Sequence, residues 1–288
     1  MDERCVDLLK RLSDYGLQGT ILKGQGIACL YDKELKSLRQ SGDIDVYVDC
    51  GLEKAMAFAK AQGNTEKLFV YKHIRPNLWD DTEVEMHVRP EVLLNLWKNK
   101  KLQKWFKKHQ DAIHGLKFKV QGGEIVTPTI EFNVFYILLH IYRHFLYEGV
   151  GLRQIVDYYF VLRTVHGEGF VVQEYVEAVR EFGMEKFVKG LMWVMREALG
   201  MPRKWMLWEP DEKEGRYILK HIIEGGNFGH YKAREINVKG KIGTFVKICS
   251  HNLSLFTHYS YDTLWAPIYF MWLKLWQVKT IATYCLHS

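Results

Sequence analysis

The first part of the chain alternates between short apolar runs and helical patterns. Residues 19–24 (GTILKG) form an apolar run closed by glycine, which predicts a strand, and residues 43–48 (DIDVYV) show the polar–apolar alternation of a half-buried strand. Residues 67–74 and 82–88 predict two more strands, and the turn-rich residues between them predict a hairpin. A helix is predicted over residues 25–34.

The pattern becomes helical from Thr129 onward, where TIEFNVFYILLHIYRHFLY starts a series of long apolar helices. We therefore expect an α+β protein. Residues 1–127 would form an N-terminal domain with a small mixed sheet and flanking helices, and residues 128–288 an all-helical domain that builds the pocket for an acceptor substrate. The glycine-rich residues 224–231 predict either substrate contacts or a plain connection between helices.

Composition narrows the class of protein only modestly. The 288 residues include 48% hydrophobic and 26% charged residues, and the net charge of +6 fits an anionic ligand without indicating nucleic acid. The five cysteines contain no C-x-x-C pair, so free thiols are favoured over a disulfide framework or a zinc site. The N-terminus lacks the pattern of a signal peptide and no apolar run suggests a transmembrane segment, so we expect a cytoplasmic protein.

Two unusual segments have a plain interpretation. Residues 90–110 predict a helix whose end groups five lysines around Trp105 and Phe106. Such a helix could bind phosphates or a membrane surface, but a solvated face with inward aromatic rings is more common. The aromatic tail, residues 264–286, could lie on a membrane, but Lys274 and Lys279 interrupt it and favour a buried terminal helix.

Asp43 and Asp45 are the first candidate for chemistry. Two residues apart in a strand, they leave the same face, while Ile44 and Val46 point into a core. Paired carboxylates are costly without a cation, and hard oxygen ligands suit Mg²⁺ or Mn²⁺. Because D-x-D pairs are also common on surfaces, the pair needs support from its context.

A glycine turn precedes the aspartate pair. Gly24 and Gly26 follow a strand and precede a helix, where backbone N–H groups and the helix N-terminus favour a phosphate. Lys23 would add positive charge for the same phosphates. A turn without function would also use glycine.

The strand TEVEMHV offers a third carboxylate. Its alternation places Glu83, Glu85 and His87 on one face. If it neighbours the aspartate strand, Glu85 joins Asp43 and Asp45, and the three form a metal-dependent nucleotidyl-transfer site. Glu85 could also help to take the proton from the attacking hydroxyl.

The motifs LKG, GDIDVYV and VEMHV together resemble the nucleotidyltransferase superfamily typified by DNA polymerase β and the aminoglycoside nucleotidyltransferases. The similarity is strongest to a poorly characterised branch with an LKG turn, an arginine before the D-x-D and a downstream E/D-x-H. It covers residues 17–90, and residues 140–162 resemble the helical region of that branch. The resemblance implies a polymerase β-like mixed sheet with flanking helices.

The resemblance implies a role for each matching residue. Asp43 and Asp45 would be metal ligands, with Glu85 as the third acidic residue. The superfamily usually has Gly-Ser in the phosphate turn, whereas Gln25 follows Gly24 here and the gap to Asp43 is longer. The expected nucleotide-binding residues are Lys23, Gly24, Gln25, Gly26 and Arg39.

Candidate substrate contacts are His87 and, in the first long helix, His140, Arg143 and His144. The spacing of His140 and His144 places them on one helix face. H-x-x-x-H can bind zinc, but the general-base glutamate of H-E-x-x-H is missing. A structural role in hydrogen bonding is therefore favoured for the pair.

Three functions agree with these residues. The first is a metal-dependent nucleotidyltransferase that moves a nucleoside monophosphate from a nucleoside triphosphate to a hydroxyl acceptor. The second is a weakly active or inactive module that binds a nucleotide, RNA or protein, and the third is a metal-dependent phosphohydrolase. The acceptor and the preferred nucleotide are not encoded in any recognisable motif, and a nucleic-acid acceptor is chemically allowed but not indicated.

Overall fold

The computed structural model describes residues 1–40, 42–63, 71–225, 255–256 and 258–285, and only the backbone of residues 281–285. Within these ranges it confirms the α+β class, with a small mixed sheet near the N-terminus and a helical C-terminal region. Residues 67–70 of the predicted strand 67–74 and residues 226–231 of the glycine-rich segment 224–231 fall outside the described residues.

Four strands form the first sheet, β1 (Gly19–Ile21), β2 (Ile44–Val48), β3 (His73–Ile74) and β4 (Val84–His87). Their spatial order is β1-β2-β4-β3. β1 is antiparallel to β2, β2 is parallel to β4, and β3 is antiparallel to β4. The predicted hairpin is thus present as β3 and β4, and its second strand lies beside the aspartate strand.

The register of the strands collects polar side chains on one face of this sheet. Asp45 is opposite Glu85 and Tyr47 is opposite His87, while His73 is opposite His87 from the other side. Residues directly opposite each other point to the same face. The other face carries the buried residues Ile44, Val46, Val48, Val84 and Met86.

The apolar face is covered by α1 (Asp2–Asp14) and α4 (Gly51–Ala61), which contribute Leu8, Leu12 and Phe58 to the core. All three side chains are fully buried. Removing such apolar surface from water is the main favourable term in folding. The core therefore fixes the sheet from one side and leaves the polar face for chemistry.

The single helix predicted over residues 25–34 is wrong. The structure has α2 (Gln25–Ala28) and α3 (Lys33–Leu38), separated at Asp32, whose ψ of 148° is extended. Aspartate is common at the position just before a helix, and Asp32 holds that position here without a side-chain hydrogen bond to the helix N-terminus. The helix after the glycine turn therefore has a single turn, and its dipole is correspondingly small.

The helix predicted over residues 90–110 starts later than expected, as α5 (Leu96–Lys108). Glu91 is fully buried, where it pairs with Lys72 at 3.2 Å and accepts a 3.0 Å hydrogen bond from the Val92 N–H. These contacts hold the segment outside a helix. The short α6 (Gln110–Ile113) follows, and then an antiparallel pair of strands, β5 (Leu116–Val120) and β6 (Gly123–Thr127).

The predicted helices after residue 129 are present. They are α7 (Ile130–Tyr147), α8 (Leu152–Glu168), α9 (Gln173–Glu181), α10 (Glu185–Leu199), α11 (Glu212–Gly225) and α12 (Trp265–Cys285), with a 3₁₀ turn at Arg203–Trp205. α7 is buried along almost its whole length, as its sequence predicts. The expectation of a buried terminal helix is wrong for the described side chains of α12, because the apolar residues Met271, Leu275 and Val278 are 65%, 67% and 68% exposed. Among the described residues, no helix is long and apolar enough to cross a membrane.

The contacts within the chain divide it into two compact units. The first contains Met1–Val92, Leu96–Thr129 and the described residues from Pro267 onward, and the second contains Leu93–Asn95 and the described residues between Ile130 and Ala266. The first unit includes the whole four-stranded sheet. The division into domains 1–127 and 128–288 stays a prediction.

Candidate active site

The three acidic residues singled out from the sequence converge on the polar face of the sheet. One carboxylate oxygen from each of Asp43, Asp45 and Glu85 lies within 4.8 Å of the other two. The parallel pairing of β2 with β4 produces this cluster, because it places Asp45 opposite Glu85. Asp43 is exposed, whereas Asp45 is only 6% exposed.

Lys23 is bound to the most buried of these carboxylates. Its Nζ lies 2.7 Å from Asp45 Oδ1. Burial alone would lower the pKa of Lys23, but the charges of Asp45, Glu91 and Glu85 outweigh it and hold the pKa above its usual value. Lys23 is therefore a protonated partner of Asp45 in this structure, and its contact with phosphates stays a prediction.

The surroundings shift the pKa values of the two aspartates in opposite directions. Burial would raise the pKa of Asp45, but Lys23 and a hydrogen bond from His87 outweigh it, so the pKa lies below its usual value. Desolvation and the negative charge of Asp45 raise the pKa of Asp43. A cation bound at Asp43 would favour the ionised carboxylate and would therefore lower the pKa of Asp43 again.

His87 lies inside the carboxylate cluster and is completely buried. Its Nε2 is 2.7 Å from Asp45 Oδ1 and 3.5 Å from Glu85 Oε2. The ring thus fixes the orientation of Asp45. A contact between His87 and a substrate stays a prediction.

Sequence reasoning missed two residues of the site, His73 and Arg75. Arg75 Nη2 lies 2.9 Å from Glu85 Oε1, and His73 Nε2 lies 3.4 Å from the same oxygen. Burial would raise the pKa of Glu85, but its interactions with His87 and His73 outweigh burial and lower the pKa. Counting back across the predicted hairpin from His87 would have located His73.

The ring of His73 is neutral near neutral pH. Burial and the neighbouring His87 lower the pKa of His73 to about 3. A neutral imidazole has a lone pair on one nitrogen. His73 can therefore accept a hydrogen bond or act as a metal ligand without first losing a proton.

The glycines of the turn after β1 are required by its backbone. Gly24 has a φ of +52°, which side-chain-bearing residues rarely adopt, and a Cβ on Gly26 would lie 2.8 Å from the Ile21 carbonyl oxygen. The N–H of Gly26 donates to the Lys23 carbonyl oxygen at 2.9 Å, within the turn. That N–H is therefore committed, and phosphate binding by Gly24 and Gly26 stays a prediction.

Residues 1–200 match the model of a protein family described as Uncharacterised nucleotidyltransferase. The chain belongs to this family. The matched residues include the whole carboxylate cluster and helices α7–α10, so the resemblance to the nucleotidyltransferase superfamily is confirmed. No curated protein and no solved structure was found to match the chain.

Gln25 follows the turn glycine where nucleotidyltransferases usually have serine, and its side chain points to α1. Its Nε2 donates to Asp2 Oδ1 at 2.6 Å, and Lys36 Nζ lies 2.9 Å from Asp2 Oδ2. The side chain of Gln25 thus fastens the turn to the first helix. Nucleotide binding by Gln25 stays a prediction.

We expect Gln25→Ser to destabilise the protein by about 1 kcal/mol, the usual net contribution of one buried hydrogen bond. The serine hydroxyl is too short to reach Asp2, so Asp2 keeps only Lys36 of these two partners. Urea unfolding followed by circular dichroism would measure the loss. Gln121→Ser is the matched control, because Gln121 also donates to an acid of α1, Glu3, but is exposed. Equal stability of Gln25→Ser and the wild type would contradict the assigned contact.

The remaining predicted nucleotide contact, Arg39, ends α3 and is half-buried, four residues before Asp43. Its backbone is extended there, with a ψ of 108°. Arg39 therefore lies at the start of the segment that leads to the aspartate strand. Its role in nucleotide binding stays a prediction.

The predicted substrate residues of α7 belong to the second compact unit. The rings of His140 and His144 meet edge to face, with centroids 4.3 Å apart. The carboxylate of Glu148 contacts both neighbours: Oε1 lies 2.6 Å from Arg143 Nη2, and Oε2 lies 2.9 Å from His144 Nδ1. These contacts agree with the structural role favoured for the histidines, and a substrate role for His140, Arg143 and His144 stays a prediction.

The lysine-rich end of α5 has exposed lysines and an inward aromatic ring, Phe106, which is 3% exposed. One face of the helix borders a cavity of about 460 Å³ in the first unit. The cavity is lined by Tyr71, Leu96, Asn99, Lys100, Gln103, Lys104, Lys107 and Trp272. The helix thus combines a solvated face with part of a basic, aromatic cavity wall.

Proposed function

We propose that this nucleotidyltransferase family member transfers a nucleoside monophosphate from a nucleoside triphosphate to a hydroxyl acceptor, with the help of Mg²⁺ or Mn²⁺. The observation that carries the proposal is the convergence of Asp43, Asp45 and Glu85 within 4.8 Å on two adjacent parallel strands. Three carboxylates form the hard-oxygen donor set that these ions prefer. Family membership supports the class of reaction.

A divalent ion held by these carboxylates would neutralise the triphosphate and favour in-line attack at the α-phosphorus. Contacts with the surrounding residues would hold the carboxylates in position for such an ion. His87 and Lys23 fix Asp45 at 2.7 Å each, and Arg75 fixes Glu85 at 2.9 Å. Partners of this kind orient ligands and strengthen a metal site.

Glu85 is better suited to hold a cation than to take a proton. Burial would raise its pKa, but interactions with His87 and His73 keep the pKa below the usual value. A carboxylate with a lowered pKa is a weak base, because a general base works best with a pKa near the operating pH. We therefore assign Glu85 the role of a ligand, and the attacking hydroxyl would lose its proton to another group.

A second candidate function, binding without catalysis, is favoured by one specific observation. Asp45 has Lys23 at 2.7 Å and Glu85 has Arg75 at 2.9 Å, so the protein itself supplies a cation for each of the two less exposed carboxylates. The cluster can thus be stable without a metal ion. Binding of a nucleotide that does not depend on Mg²⁺ would agree with this function.

Nucleoside triphosphates labelled at the α- or the γ-phosphate separate the candidates. The purified protein would be incubated with each labelled nucleotide, Mg²⁺ or Mn²⁺ and a metabolite extract, and the products identified by mass spectrometry. We expect the α-label, and not the γ-label, to appear on a larger acceptor. A hydrolase would leave the α-label on a free nucleotide, and no conversion with either metal would argue against the proposed function.

Thermal unfolding provides the companion measurement. At a concentration of 100 times Kd, a nucleotide stabilises the protein by about 2.7 kcal/mol. We expect this stabilisation with ATP or another triphosphate only when Mg²⁺ is present, and its loss with a chelator. A shift that is unchanged by the chelator would instead favour the binding module.

A further inference from the structure

The carboxylate of Glu85 lies between two imidazole rings. Oε1 is 3.4 Å from His73 Nε2, and Oε2 is 3.5 Å from His87 Nε2. The hairpin of β3 and β4 builds this arrangement, since His73 is directly opposite His87 and Glu85 precedes His87 by two residues on the same face. One donor atom from each of the three residues lies within 4.8 Å of the other two.

These two distances are longer than good hydrogen bonds but match the spacing of metal ligands. An N–H···O hydrogen bond spans about 2.7–3.2 Å. Two ligands of a tetrahedral Zn²⁺ ion, each with a bond of about 2.1 Å, are about 3.4 Å apart. The side chains therefore already have nearly the separation that one bound ion would require.

The hydrogen bonding of the two rings is incomplete. The Nδ1 atoms of His73 and His87 are buried and lack a hydrogen-bond partner within the part of the chain that the structure describes. His87 is 0% exposed and the side chain of His73 is 11% exposed. These Nδ1 atoms are not the ones that face Glu85, so the ion would bind at the two Nε2 atoms. It would replace the contact of Arg75 with Glu85 Oε1 at 2.9 Å and the contact of Asp45 with His87 Nε2 at 2.7 Å.

We propose that His73, Glu85 and His87 form a separate cation position beside Asp43 and Asp45, which takes a divalent transition ion of the Zn²⁺ type in preference to Mg²⁺. Imidazole nitrogen suits Zn²⁺ and Co²⁺, whereas Mg²⁺ prefers oxygen ligands in octahedral geometry. The inference shares Glu85 with the proposed function and names a second ion class for the same site. It does not depend on nucleotidyl transfer.

Titration with Co²⁺ tests the position directly. The full-length protein would be freed of metal with a chelator and titrated with Co²⁺ in excess Mg²⁺, while visible absorption reports four-coordinate Co²⁺ with nitrogen ligands. We expect one equivalent to bind with such a spectrum and to be displaced by Zn²⁺. In His73→Ala and His87→Gln, affinity should fall by at least about tenfold.

Two control variants locate the ion. Asp43→Asn should keep the Co²⁺ spectrum, because Asp43 lies outside the histidine cluster. A His140→Ala/His144→Ala variant should keep it as well, because that pair is in the other compact unit. If His87→Gln does not fold, the Co²⁺ affinity of His73→Ala tests the site alone. His73 lies on β3, a two-residue strand at the edge of the sheet, where a substitution disturbs less of the core.

The proposal would be overturned if Mg²⁺ displaces Co²⁺ from the wild type, if His73→Ala binds Co²⁺ as tightly as the wild type, or if the His140/His144 variant alone loses the spectrum. The result is separable from the test of the proposed function. Bound Co²⁺ without any nucleotidyl transfer rejects only the transfer reaction. Transfer with Mg²⁺ but without the Co²⁺ spectrum rejects only the histidine position.

Discussion

Asp43→Asn is expected to lower the rate of nucleotidyl transfer by about a thousandfold, which corresponds to ~4 kcal/mol of transition-state stabilisation. The amide preserves the shape of the side chain but removes the charge that would hold a divalent ion. Asp43 is exposed and forms no salt bridge with the residues that the structure describes. The free energy of unfolding should therefore stay within about 0.5 kcal/mol of the wild-type value.

Two measurements check this result, transfer of an α-labelled nucleotide and urea unfolding. Asp49→Asn is the matched control, because Asp49 directly follows the same strand and is also exposed, but lies outside the carboxylate cluster. We expect Asp49→Asn to retain transfer. If Asp43→Asn keeps a rate within about threefold of the wild type, Asp43 is not a metal ligand.

Asp45→Asn is expected to lower the free energy of unfolding by about 3 kcal/mol, because it leaves Lys23 without its partner in a poorly hydrated site. The side chains of Lys23 and Asp45 are 12% and 5% exposed, so water can compensate little of the lost pairing. Urea unfolding at pH 7 would measure the loss. A fall in transfer by Asp45→Asn would thus mix loss of stability with loss of chemistry, which makes Asp43 the cleaner test of the site.

The double variant Lys23→Met/Asp45→Asn provides the control for this pair. It removes both charges, so we expect it to recover at least half of the stability lost in Asp45→Asn. Additive losses from the two single variants would show that the salt bridge contributes nothing. Lys23→Met alone should also destabilise the protein, since Asp45 would then keep only His87 of these two partners.

The pair of Lys23 and Asp45 makes the free energy of unfolding depend on pH in a defined direction. The pKa of Asp45 lies below its ordinary value of 3.8, because Lys23 and His87 outweigh the effect of burial. A carboxyl whose pKa is lowered by folding stabilises the native state above that ordinary value, and the contribution fades as the pH falls toward the native pKa. The difference in stability between the wild type and Asp45→Asn should therefore be full at pH 7 and shrink in acid. A difference that grows below pH 4 would contradict the assignment.

The sequence predicted the faces of the strands well. Alternation predicted that Asp43 and Asp45 share one face of their strand, and that Glu85 and His87 share one face of theirs. In the structure, both pairs lie on the polar side of the sheet. Their meeting depended on one condition, that β2 and β4 are neighbours. Periodicity cannot supply that condition, because strand order is a tertiary property that no local pattern encodes.

Other parts of the site depend on contacts between distant segments. The bond of Gln25 to Asp2 spans 23 residues, and the contact of His87 with Asp45 spans 42. A single sequence contains no signal for such pairings. Sequence reasoning therefore recognised Gln25 as a departure from the usual serine but could not show what the side chain contacts.

Lys23 makes the uptake of a divalent ion at Asp45 an exchange of cations. While its ammonium group lies 2.7 Å from Asp45 Oδ1, a second positive charge at that oxygen requires the lysine to leave. The affinity measured for the ion would then be the intrinsic affinity reduced by the strength of the lysine contact. The displaced ammonium group would be released beside Gly24, at the turn where a negatively charged triphosphate would arrive, so that the two ligands would bind more tightly together than either does alone.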